Sequence, residues 1–105
     1  MALLKIPTRS DLPAFSQKIE LDGTVFTLKM RYNERYERWI LDILTQEETP
    51  IRVGIVMLTN IPLLFQYSEA LLPPGEFICL HKDGISENAK RDDLGDTVNL
   101  YYDEA

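Results

Sequence analysis

Asp22-Gly23 stands between two runs of strict alternation, and this arrangement constrains the fold more than any other feature of the chain. Before it, Phe15, Gln17, Ile19 and Leu21 share one face, while Ser16, Lys18 and Glu20 share the other. After it, Phe26, Leu28, Met30 and Tyr32 oppose Thr27, Lys29 and Arg31. A period of two is the mark of a half-buried strand, because successive side chains point to opposite faces. Asp and Gly both accept the positive φ that a two-residue type I′ turn requires. The stretch therefore predicts a β-hairpin with one apolar face, which must be covered by a second layer.

The neighbouring segments extend this pattern. From Arg31 to Leu44 two periods compete. Tyr32, Tyr36, Trp39, Ile40, Ile43 and Leu44 fit helical spacing, and Glu34 with Arg38 makes an i,i+4 pair. A turn at Asn33-Glu34-Arg35 followed by a strand with Trp39, Leu41 and Ile43 inward fits as well. The strand is preferred, because the preceding run is already a strand ending near Tyr32. Gln46 to Pro50 reads as a polar turn and Ile51 to Leu58 as a β-branched strand. Gly54 within that strand predicts a bulge or a close backbone approach. Thr59-Asn60 marks a turn, and Ile61-Pro62-Leu63-Leu64-Phe65 an aliphatic loop or short helix, since Pro62 cannot donate to a central ladder. Leu72 to Gly75 is extended, Glu76 to Leu80 a short strand, and Thr97 to Tyr102 an alternating strand. Lys82 to Asp96 is a hydrophilic loop of a length that is usually functional or mobile. Residues 1–13, with Pro7 and Pro13, form an extended arm carrying at most one short edge strand.

These elements predict an all-β fold, a small antiparallel barrel or sandwich of about six or seven short strands. The length of 105 residues predicts one domain, residues 1–105, with the arm at its start. The expected core is Phe15, Ile19, Leu21, Phe26, Leu28, Met30, Trp39, Leu41, Ile43, Val53, Ile55, Val98 and Leu100.

Composition narrows the function classes. Seventeen acidic against eleven basic residues give a net charge of -6, which opposes a non-specific grip on nucleic-acid phosphates and on anionic membranes. No apolar run approaches the roughly 20 residues of a membrane-spanning helix. One cysteine, Cys79, excludes an internal disulfide and predicts a protein folding in a reducing cytoplasm.

Candidate chemistry is sparse. Cys79 and His81 point the same way on a predicted strand, with Asp83 just beyond. Zinc sites usually want four ligands paired across a turn, and no second Cys or His exists, so a buried thiol beside an ordinary histidine is the better reading. Ser68 and Ser86 lie near acids but in no nucleophile-elbow pattern. The carboxylate pairs Glu47-Glu48, Asp92-Asp93 and Asp103-Glu104 are sequence neighbours in polar turns or at the terminus, a solvated surface rather than acids opposed across a pocket. Lys29, Arg31, Arg35 and Arg38 with Tyr32, Tyr36 and Trp39 have the composition of a stacking surface. Alternation directs those aromatics to the core, and a charged protein partner suits the cations better. No enzyme, metal or cofactor is expected, and His81 is the one residue worth testing for turnover.

Taken in order, five pieces resemble the phage baseplate plug family, small proteins first described as cyanophage baseplate plugs. They are Phe26 to Arg35 (FTLKMRYNER), Trp39 to Ile43 (WILDI), Thr49 to Ile55 (TPIRVGI), Pro62 to Leu64 (PLL) and Asp92 to Tyr102 (DDLGDTVNLYY). The charged stretch Lys82 to Lys90 departs from the family pattern. The resemblance implies a mainly β structural protein of a contractile-tailed phage or prophage. It implies a location in the virion baseplate, after synthesis in the bacterial host cytoplasm. The expected partners are the central hub and spike proteins, with room for several copies and with neither nucleic acid nor membrane. The alternative is a small bacterial β-barrel that binds a ligand or peptide. Ile61, Pro62, Leu63, Leu64, Phe65 and Tyr67 are the expected protein interface, because a proline-bearing aliphatic loop seldom buries fully; the competing expectation is that the loop lids the core.

Overall fold

The computed structural model describes residues 3–9, 11–64, 67, 71–85, 87–91 and 93–104. Seven strands form two antiparallel sheets: β1 (Leu3–Ile6), β2 (Ala14–Leu21), β3 (Thr24–Asn33), β4 (Arg38–Thr45), β5 (Pro50–Val56), β6 (Glu76–His81) and β7 (Val98–Asp103). The four-stranded sheet runs β2-β3-β4-β5, the three-stranded sheet β1-β7-β6. No helix occurs among the described residues. The sheets are not closed into a barrel; they form a sandwich, with one apolar cluster drawn from both inner faces.

Sheet β2-β3-β4-β5 follows the alternation. Leu21 pairs with Thr24 across Asp22-Gly23, both turn residues at positive φ (50° and 84°), and the ladder continues to Ala14 opposite Arg31. The Arg31–Leu44 ambiguity resolves as strand: Tyr32 pairs with Trp39 and Asn33 with Arg38, around a tip at residues 34–37. The helical spacing of its apolar residues reflects the two faces of β4. Trp39, Leu41 and Ile43 join the core cluster, whereas Ile40 and Leu44 are buried on the opposite face of the sheet.

β5 departs from the expected core. Leu41 lies opposite Ile55 but Ile43 opposite Arg52, so Val53 and Gly54 together face Asp42. That is a β-bulge, with Gly54 at φ 78° and its N–H donating to Asp42 Oδ1 at 2.8 Å. An extra residue reverses the phase of the alternation. Val53, expected in the core, is consequently 53% exposed, while Ile55 stays buried. Phe15 and Ile19 are half-buried rather than central, because β2 is an edge strand.

The smaller sheet is assembled from the chain's two ends. β1 pairs with β7 from Leu3 opposite Asp103 to Ile6 opposite Leu100. Ile6, Phe77, Cys79 and Tyr102 are buried with Val98 and Leu100. On the way to the other sheet, Gln17 Nε2 donates to Pro7 O (2.5 Å) and Tyr32 N to Pro13 O (2.8 Å). The arm thus carries the one short strand expected of it and closes one side of the sandwich.

The Lys82–Asp96 stretch, expected as a surface loop, is tied to the core at several of its described residues. Ala89 and Leu94 insert into the core. The Trp39 indole N–H donates to Lys90 O at 2.9 Å, and Thr59 N to Asn88 Oδ1 at 2.7 Å. Trp39 is buried beneath this loop, edge-on to Phe15 and Tyr32. Its hydrophilic composition hides two apolar anchors and a bond made by a backbone carbonyl.

Candidate partner-binding surface

The segment from Thr59 to Leu64 is held as an extra strand-like rail along β6. Thr59 bridges Cys79, Asn60 N donates to Cys79 O (2.8 Å) and Leu63 N to Phe77 O (2.9 Å). The Glu76 carboxylate then accepts from Leu64 N at 2.6 Å. These bonds fix which side chains turn inward. Leu63 and Leu64 are only 4% and 6% exposed, so they are core anchors, while Ile61 is 42% exposed and Pro62 is exposed beside it. Tyr67 is half-buried, with the Arg52 guanidinium carbon 3.9 Å from its ring centroid. Phe65 lies outside the described residues.

Between this rail and β5 runs a groove of about 360 Å³, lined by Gly54, Ile55, Val56, Leu58, Ile61, Pro62, Leu63 and Tyr67. β5 has β4 on one side and no described strand on the other. No Asp or Glu occurs between Glu48 and Glu69, in a chain that holds seventeen. The side chains lining the groove are mostly apolar and include no carboxylate, which lowers the desolvation penalty of covering it. Of the six residues expected at an interface, Ile61, Pro62, Leu63 and Tyr67 line this groove and Leu64 does not. Val56 and Leu58 also line the groove, although they belong to a run that reads as buried strand.

Cys79 is fully buried, and burial pushes its thiol up to about 12. His81 Nδ1 accepts from Asp83 N at 3.0 Å, while Asp83 is exposed beyond it. Among the described residues, no group of three His, Cys, Asp or Glu side chains is arranged to hold a metal ion. Ser68, Ser86 and Asp92 lie outside the described residues. Glu47 and Glu48 are exposed on the β4–β5 turn. Of the basic group, Lys29 pairs with Glu48 (3.4 Å) and Arg31 with Asp42 (3.3 Å). Trp39 and Tyr32 pack on the core as expected, but Tyr36 is exposed at the β3–β4 tip.

One further polar cluster ties the sheets together. Tyr102 Oη donates to Asp22 Oδ2 at 2.6 Å and accepts from Gly75 N at 2.7 Å. Burial, with the hydrogen bond to Asp22, raises the phenol above its ordinary range. A Cβ at Gly75 would lie 2.2 Å from Asp103 O, so only glycine brings that N–H within reach. The hairpin turn that dominates the sequence is thus locked onto the last strand.

Comparison with curated proteins gives no significant match. The family model described as "Cyanophage baseplate Pam3 plug gp18" matches residues 3–105, essentially the whole chain, and the chain belongs to this cyanophage baseplate plug family.

Proposed function

We propose that this chain is a structural, non-enzymatic component of a contractile phage tail baseplate, where it packs as a plug against the central hub and spike. The observation that carries the reading is the family match over residues 3–105. The interior supports it. Trp39, Phe77, Tyr102, Leu28, Met30 and Leu41 fill the space between the sheets, whereas a ligand-binding barrel would need an open mouth leading inward. The protein is made in the host cytoplasm and resides in the virion. Its partners are other baseplate proteins, met through the exposed rim of the β5 groove at Ile61, Pro62 and Val56, with Leu63 and Leu64 holding the rim from beneath.

The test is binding to the purified hub protein encoded with it, measured for the unaltered chain and for Ile61→Asp and Val56→Asp. Both positions are substantially exposed, so folding should survive, and the thermal midpoint checks this. Loss of hub binding at an unchanged midpoint supports the groove as interface. Unchanged binding in both variants removes the groove from the account, and no binding by the unaltered chain removes the hub as partner.

A further inference from the structure

Resting on the baseplate reading, we infer that the β3–β4 tip is a preformed knob, Tyr36 flanked by Arg35 and Glu37, that inserts into a slot on another baseplate protein. The slot has apolar walls and a rim carrying both charge signs. Tyr36 is 67% exposed although the rest of the aromatic segment packs on the core. Nothing in the fold calls for a large aromatic ring there.

The tip is nevertheless braced by side-chain hydrogen bonds. Asn33 Oδ1 accepts from Arg35 N (3.1 Å) and from Tyr36 N (3.2 Å). From the other strand Arg38 Nη1 donates to Glu37 O at 3.0 Å and Tyr36 O at 3.5 Å. Two side chains therefore fix the backbone on both flanks of Tyr36. Glu37 sits at φ 53°, where Gly or Asn is the usual occupant. Glu48 in the β4–β5 turn adopts the same conformation at φ 66°, so it is the exposed ring and its charged neighbours that set this tip apart.

The chemistry of the knob defines its receptor. The Arg35 guanidinium carbon lies 5.9 Å from the Tyr36 ring centroid, so the cation travels with the ring. Among the described residues, no ion pair engages Glu34 or Glu37. The knob thus presents an amphipathic ring, a cation and two carboxylates. Tyr and Arg are the residue types that dominate binding hot spots, and a ring with two rotatable bonds on a fixed backbone loses little entropy on docking. The matching surface has an apolar slot for the ring, a carboxylate to meet Arg35 and a cation to meet Glu34 or Glu37.

The experiment uses tail particles assembled in cells that lack this chain, to which purified unaltered protein, Tyr36→Ala, Tyr36→Phe or Arg35→Glu is added. Occupancy is read by quantitative mass spectrometry of repurified particles. The expected result is a loss of roughly tenfold or more in apparent affinity for Tyr36→Ala and Arg35→Glu, a smaller loss for Tyr36→Phe, and thermal midpoints within a degree or two of the unaltered chain. If Tyr36→Ala fills the particles as tightly as the unaltered chain, the knob is overturned and the baseplate reading stands. If the unaltered chain itself does not bind, both fall. If it dimerises through Tyr36 while the variant still binds particles normally, the tip serves contact between copies and the inference is overturned.

Discussion

The two sheets of this sandwich are built by different rules. In β2-β3-β4-β5 every strand pairs with its sequence neighbour, and each register is set by a short turn. In β1-β7-β6 the first strand meets the last, and a loop of some length separates β6 from β7. Local hairpins close small loops; the second sheet must close nearly the whole chain, which has a larger entropic cost. Burial of Ile6, Phe77, Val98, Leu100 and Tyr102 offsets most of that cost, and long-range side-chain bonds add to it: Trp39 to Lys90, Asn88 to Thr59 and Tyr102 to Asp22. Both sheets share one apolar core, but short turns fix the first locally whereas the second also relies on a few long-range clasps.

Breaking the clasps should therefore expose the difference, and Trp39 gives the largest effect. Trp39→Ala removes a fully buried ring from the hairpin sheet and the bond that holds the 82–96 loop. A loss of about 3–5 kcal/mol is expected, measured by urea unfolding. Trp39→Phe keeps much of the packing but not the N–H. It should lose less stability while amide exchange at Ala89 to Leu94 rises more than in β3, which separates the clasp from the ring.

Gly75→Ala comes next. The added Cβ meets backbone at Asp103 and the Tyr102 ring, so the β6–β7 entrance must shift. A loss of about 1–3 kcal/mol is expected, with amide protection falling in β6 and β7 before β3 and β4. Equal loss in both sheets would show that they unfold as one unit.

Tyr102→Phe leaves the Gly75 N–H and the Asp22 carboxylate without this partner and should cost about 1–3 kcal/mol. The same hydroxyl supplies a pH signature. Its folded-state value is raised, so its contribution is complete below the unfolded phenol value near 10 and is lost as pH climbs towards the folded one. Cys79 acts in the same direction, from a reference of 9.0 to about 12. Stability should be level through neutrality and fall above about pH 9, and Cys79→Ala combined with Tyr102→Phe should flatten that fall.

Val53→Ala marks the small end of the series. With its side chain turned to solvent by the bulge, it should change stability by less than about 0.5 kcal/mol, whereas Ile55→Ala, two residues on and buried, should cost about 2–4 kcal/mol.

The pair also shows where sequence reading succeeds and stops. The hairpin sheet was legible because Asp22-Gly23 and the period of two act within a few residues of each other. Gly54 signalled a bulge, yet the consequence for Val53 needed the register: only the pairing of Ile43 with Arg52 shows that the alternation has changed phase. Ile6 and Tyr102 escaped the expected core because each is buried by the other end of the chain. The 82–96 stretch read only as a hydrophilic surface loop, because its anchors are Ala89, Leu94, one asparagine side chain and a backbone carbonyl, none of which stands out in a charged run. The aliphatic segment was expected to offer a surface, an expectation that hub binding has to test. Its division into exposed Ile61 and Pro62 and buried Leu63 and Leu64 depended on hydrogen bonds to β6.

The central claim is that this chain is a structural part of a tail baseplate, and the composition of intact particles tests it most directly. Tails purified from the phage or prophage that encodes it, resolved by electron cryomicroscopy and counted by quantitative mass spectrometry, should contain the chain at a fixed copy number. Density for a seven-stranded sandwich should lie in the baseplate next to the hub. Its absence from purified tails, with the protein abundant and free in the same lysate, would contradict the account.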